Sequence, residues 1–316
     1  MKSTLICLVI LLVAAVPANA RTVELTIYPA KIPKPAQKYQ LLPKADEQSN
    51  GDAAPLYEKA IQSLPSDLQM KEIQQWLKTP LDTLPGKQVQ SILQQFEPAL
   101  VLLEEAAKYK MCYWPYMDDD LLSENLSKHR RLIFILTLKI RFQIAQGLYD
   151  DAICTAQAGF TMAKNLEKDF SLLRGLVGIG IAAQISRQLE QFVQRPDSPD
   201  LYQALQDLPL PFIDLSKLVE SEYPNIRDKV HLLMNRLDRH VAALKCIEAL
   251  RLYAAAHDGK FPNALADITE VSVTIDPVTR KPFIYQRAGS KALLEALPME
   301  GATDKDIIRY EISLKE

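Results

Sequence analysis

The sequence predicts a mainly α protein, an irregular, repeat-like array of helical hairpins followed by a small C-terminal β-rich module. Three observations lead there. Apolar residues recur at helical spacing from Ala53 to His257. Glycine is scarce (10) while proline is frequent (20), which suits helices joined at Pro-marked turns. Beyond Lys260 the pattern shortens to that of strands and turns. With 48% hydrophobic and 24% charged residues, the chain has ample material for a core. A net charge of -2 and the lack of any long Lys/Arg run argue against a nucleic-acid partner.

Residues 1–20 are expected to be an export signal. Lys2 gives the positive start, Leu5 to Val16 the apolar stretch, and Ala18-Asn19-Ala20 the small residues of a cleavage site. That apolar run is too short to favour a permanent anchor, so no stable membrane insertion is expected after cleavage. Residues 21–50 then read as a strand, with Val23, Leu25 and Ile27 alternating against polar neighbours, and a Pro-rich strap through Pro29, Pro33 and Pro35.

The helical region is expected over 51–259. Asn50-Gly51-Asp52 predicts a turn, with helices starting at Ala53 and near Ser66 to Leu68. Gly86 to Lys110 follows as a longer helix that Pro98 kinks or splits. His129 to Gln194 is the centre: three helices, the first stopped at Gly147 and the second capped by Asp150. Ala152, Ala156, Gly159 and Ala163 make a stripe of small residues where helix backbones can approach closely. A last long helix runs from Asn225 to His257, with Val230, Leu233, Leu237, Val241, Leu244, Ile247, Leu250 and Tyr253 as its seam, and ends at Asp258-Gly259. Residues 260–316 form the β-rich module: a hairpin around Ala288-Gly289-Ser290 and a third strand over Ile307 to Leu314. Phe283, Tyr285, Leu293 and Ile308 are expected to face the core.

Cleavage of the signal removes Cys7 and leaves Cys112, Cys154 and Cys246, an odd number. The latter two lie on apolar helical faces, where a thiol acts as a small hydrophobe, and no structural disulfide is expected. The chain has no phosphate-binding Gly-rich loop, no Gly-x-Ser-x-Gly, no His-Glu-x-x-His and no Cys-x-x-Cys. No catalytic residue, metal or cofactor is therefore assigned.

The most unusual stretch is Tyr109 to Asp120. Tyr113, Trp114 and Tyr116 stand beside Asp118, Asp119 and Asp120. Rings stack on apolar faces and carboxylates bind hydroxyls or hard cations, so Tyr113, Trp114, Tyr116, Asp118 and Asp119 are the candidate binding residues. The competing reading has the aromatics plugging the core and the acids favouring the start of the next helix through its dipole.

Gly147-Leu148-Tyr149-Asp150-Asp151-Ala152 resembles the turn between the two helices of a tetratricopeptide repeat. Tyr39 to Pro43, Asn50 to Ala53, Leu176 to Ile179, Pro199 to Leu205 and Ala249 to Tyr253 resemble a group of uncharacterised secreted planctomycete-type proteins. Arg251 to Phe261, Asp276-Pro277 and Lys281 to Tyr285 are also similar to the segment after the main helix of type II secretion pseudopilins. The planctomycete-type group has no assigned activity, and with no catalytic motif in a helical chain that carries an export signal, the expectation is an exported helical scaffold with a protein or peptide partner. The alternatives are a secreted hydrolase built near Asp118 to Asp120, or a structural part of an envelope or secretion assembly.

Overall fold

A computed structural model describes residues 22–30, 39–65, 70–115, 119–168, 171–299 and 307–315, with 119–126 described as backbone alone. The leader expected over 1–20, most of the Pro-rich run and the helix start at Ser66 to Leu68 lie outside the described residues. The described chain is mainly helical with a small four-stranded sheet, as its apolar periods predict. It divides into two compact units. The first holds Gln40–Gln188; the second holds the described residues before Gln40 together with Leu189 onward. β1 (Val23–Ile27) belongs to the second.

In the first unit, β2 (Ser49–Asp52) pairs in parallel with β3 (Tyr109–Met111). The turn expected at Asn50-Gly51-Asp52 is thus a strand. Gly51 permits it: a Cβ there would lie 2.2 Å from the Tyr109 ring. Next come α1 (Ala54–Gln62), α2 (Met70–Trp76), α3 (Gly86–Gln95) and α4 (Glu97–Ala106). Pro98 sits in the first turn of α4, where its missing N–H costs nothing, and the expected single helix is split.

The central helices are α5 (Asp119–Ala145), α6 (Tyr149–Glu167) and α7 (Leu172–Phe192), the last entering the second unit at Leu189. α5 closes with Gly147 at φ 71°, its N–H donating to Ile144 while Leu148 N–H donates to Gln143 at 2.9 Å. This exit leads straight into α6, so Leu148 takes the cap position. Asp150, expected there, lies inside the first turn, where its charge still favours the helix dipole. The small-residue stripe packs as expected. A Cβ on Gly159 would stand 2.8 Å from Ile185 and 3.1 Å from Leu136, so α5 and α7 both press on the α6 backbone. Cys154 corrects the apolar-face reading. It is exposed, two residues from both Ala152 and Ala156 and so on the opposite side of the helix.

The second unit contains α8 (Tyr202–Gln206), α9 (Ser216–Glu222), α10 (Arg227–Ala256), β4 (Ile284–Ala288), β5 (Lys291–Glu295) and β6 (Arg309–Leu314). The strand order is β1-β6-β5-β4, with β1 parallel to β6 and the other pairs antiparallel. The N-terminal strand therefore adds a fourth member to the three expected. It covers the edge β6 would otherwise present as unpaired backbone. The expected inward set is also corrected. Phe283 is buried, but Tyr285, Leu293 and Ile308 are only half-buried, while Ala292, Leu294, Tyr310 and Ile312 face inward. On β5 the shift is one residue, enough to exchange the faces of a strand.

The seam of α10 is buried from Val230 to Leu250, with Tyr253 half-buried at its end. Asp258 at φ 51° and a Gly259 N–H donated to Ala254 at 2.9 Å terminate it. Among the described residues, no helix is long and apolar enough to cross a membrane.

Candidate functional site

The segment Cys112–Pro115 leaves β3 and is held by residues from four helices of the first unit. Asp52 begins the arrangement: one carboxylate oxygen accepts the Ala54 N–H at 3.1 Å and the Tyr113 N–H at 2.8 Å. It thereby ties the start of α1 to the segment after β3. Tyr57, fully buried on α1, stacks on Trp114 with ring centres 5.4 Å apart. His129 from α5 meets Trp114 edge-on at 5.3 Å. Arg174 from α7 covers the same indole at 5.3 Å and donates to the Pro115 carbonyl at 3.0 Å.

Asn165 on α6 joins the polar groups. Its carbonyl accepts the Trp114 indole N–H at 2.8 Å, its amide donates to the Tyr57 hydroxyl at 3.0 Å, and its side-chain oxygen accepts from Lys168 at 2.7 Å. Lys168 also donates to the Lys110 carbonyl at 2.9 Å, placing an ammonium group against β3. Burial drives the Tyr57 phenol far above its ordinary range and lowers Lys168. The indole and phenol both have partners, so the cluster is a rigid support.

Of the five candidate binding residues, Tyr113 and Trp114 are side by side with opposite roles. Trp114 is half-buried in the cluster, whereas Tyr113 is 67% exposed. Tyr116 and Asp118 lie outside the described residues, and Asp119 opens α5 with only its backbone described. Asn165 and Arg174 were not legible as partners of Trp114, nor Lys168 as a partner of Asn165. They are ordinary polar residues at the ends of helices, and only tertiary packing brings Asn165 and Arg174 to the indole. No group of three or more His, Cys, Asp or Glu among the described residues could hold a metal ion, and Cys112, Cys154 and Cys246 are free thiols.

The second unit holds two fully buried ion pairs. Arg251 on α10 donates Nη1 to both oxygens of Glu248 at 3.0 Å, Nε to the Tyr28 carbonyl at 3.0 Å, and Nη2 to the Ser198 carbonyl and hydroxyl at 2.8 Å. The same Nη1 reaches the Pro199 carbonyl at 3.5 Å. Arg239 donates Nε and Nη2 to one oxygen of Asp276, whose other oxygen accepts the Val278 N–H and so shapes the Asp276-Pro277 turn. Separately, Glu190 accepts from the Tyr310 hydroxyl at 2.7 Å and pairs with His240 at 2.9 Å.

Burial pushes the Glu248 carboxyl up to about 7, against the pull of Arg251; nearby Asp200 adds to the rise. An acid whose folded value is raised contributes stability that is full below its unfolded value and is lost as pH rises through the folded one. The difference in unfolding free energy between the parent chain and Glu248→Gln should therefore change between about pH 4.5 and pH 7, with the parent losing stability as pH rises. Chemical denaturation at stepped pH checks this. A difference that stays flat across the window would refute it.

Comparison with family models, characterised proteins and solved structures returns no match.

Proposed function

We propose that this chain is an exported helical scaffold that binds a protein or peptide, with Tyr113 as an anchor. The observation that carries this reading is the contrast at Tyr113 and Trp114: an aromatic ring 67% exposed, with its backbone tied to Asp52 and a packed indole as its neighbour. A ring held in this way offers a large amphipathic contact surface and loses little conformational freedom on binding. Met111, 41% exposed on the same segment, extends the apolar surface with a side chain that adapts its shape. Export rests on the sequence pattern of residues 1–20 and on the resemblance to secreted planctomycete-type proteins.

The test has two arms. Intact mass of the protein recovered outside the cytoplasm should lack residues 1–20. A partner cross-linked from the native envelope should lose about tenfold or more in affinity for Tyr113→Ala, the scale of an aromatic hot spot, with no change in melting temperature. Retention of Lys2 defeats the export half. A partner whose binding is indifferent to Tyr113 defeats the binding half.

A further inference from the structure

The four-stranded sheet of the second unit ends at β1 on one side and at β4 on the other, and the two edges are finished differently. Along β1 the Ile27 carbonyl accepts the Lys315 N–H, so the backbone of Thr26 turns the opposite way, outward from the sheet. There the side-chain oxygen of Gln194 accepts the Thr26 N–H at 3.2 Å.

β4 has no such cover. Its hairpin turns on Gly289 at φ 65°, and Ala288 stands opposite Lys291, the flanking pair that exchanges hydrogen bonds across a two-residue turn. Bonded pairs recur at every second residue, so Gln286 and Ile284 bond to β5 as Ala288 does. The other side of β5 keeps the same phase: Leu314 N–H donates to Ser290 and Ala296 N–H to Ile308, both at 2.9 Å. Tyr285 and Arg287 therefore turn their N–H and C=O groups to the open edge. None of these groups has a hydrogen-bond partner among the described residues.

The edge is also charged with one sign. From Pro277 to Leu294 the chain has four cations, Arg280, Lys281, Arg287 and Lys291, and no acid. All four are exposed, and none forms an ion pair with a described residue. Arg287 donates Nη1 to the Asn263 side chain at 2.9 Å and Nε to the Gly289 carbonyl at 3.2 Å, both neutral acceptors that leave its charge uncancelled. Acids of the adjoining segments are engaged elsewhere: Asp276 with Arg239, Glu295 with Arg309, and Glu270 with His257.

An open edge is a template for another strand. A second copy of β4 fits it badly, because like charges would face one another across the new ladder. An acidic strand satisfies the backbone groups and the cations together. We propose that β4 is the docking edge for an extended acidic segment of a partner protein, which adds to the sheet as a further strand. This surface lies in the second unit and does not depend on Tyr113, so either proposal can fail alone.

The experiment titrates the full chain with a blocked peptide of alternating glutamate and valine, about six residues long, the length of an ordinary strand. At saturation, amide exchange read by NMR should slow about tenfold or more at Tyr285 and Arg287. It should change little at Ile284, Gln286 and Ala288, whose N–H groups are already bonded. A peptide methylated on the backbone nitrogens that would face β4 keeps its charge but loses its donors, and should bind about tenfold more weakly. Lysine in place of glutamate in the probe should abolish binding. Arg287→Glu with Lys291→Glu should weaken it about tenfold or more; if that variant does not fold, the three peptides on the parent chain still decide the matter. Equal binding of the methylated peptide would make the edge a general anion surface, of the kind a charged lipid layer also meets, and overturns the proposal. So does unchanged exchange at Tyr285 and Arg287, or no binding of the glutamate peptide.

Discussion

Replacing Arg251 with methionine should destabilise the second unit by on the order of 3–5 kcal/mol, the cost of breaking a buried ion pair by removing one partner. Methionine keeps much of the volume, so the effect isolates charge and hydrogen bonding. Glu248 would remain fully buried and lose both of its 3.0 Å bonds from the guanidinium. The Tyr28 carbonyl, directly after β1, and the Ser198 carbonyl and hydroxyl would lose their donor as well. Stranded polar groups of this kind cost more than the original bonds contributed. The double variant Arg251→Met with Glu248→Leu should recover part of the loss, because no buried charge is then left alone. Denaturant melts of the parent, single and double variants measure this. An Arg251→Met chain within about 1 kcal/mol of the parent, the size of one ordinary hydrogen bond, would mean that the guanidinium is not holding these segments together.

Trp114→Ala should cost about 2–3 kcal/mol in the first unit, below the usual range for a fully buried aromatic because the indole is half-buried. The loss is not only volume. Tyr57 loses its stacking partner, Arg174 loses the ring it covers, and the Asn165 carbonyl loses its donor. Trp114→Phe separates these effects. It keeps a ring between Tyr57 and Arg174 while removing the indole N–H, so it should cost nearer 1 kcal/mol beyond its packing change. Tyr113→Ala, one residue earlier, should leave the melting temperature unchanged because its ring is exposed. Equal destabilisation by Tyr113→Ala and Trp114→Ala would contradict the division into support and anchor.

The two neighbours also show where reading from sequence stops. Tyr109 to Pro115 stands out in the chain as an aromatic run, but the order of residues does not say which ring turns inward. That is settled by Asp52, which fixes the backbone at Tyr113, and by Tyr57, Asn165 and Arg174 on three different helices. The same holds for the ion pairs. Arg251 and Glu248 look like ordinary surface charges of a long helix; their burial depends on Tyr28 and Ser198, far away in the chain.

What the sequence determined by itself was the helical architecture and its punctuation. A helix closes its hydrogen bonds within a few residues, so apolar spacing, Gly147, Pro98 and Asp258-Gly259 act locally and could be read locally. The strand at Gly51, the β1–β6 pair and the inward face of β5 were decided only by the tertiary structure. Strands find their bonding partners in another segment, and β1 finds its partner nearly the whole chain away, with Val23 opposite Tyr310. The hydrophobic stripe on a helix marks the face that will be buried, but neither it nor a strand's alternation names the residues that will cover that face.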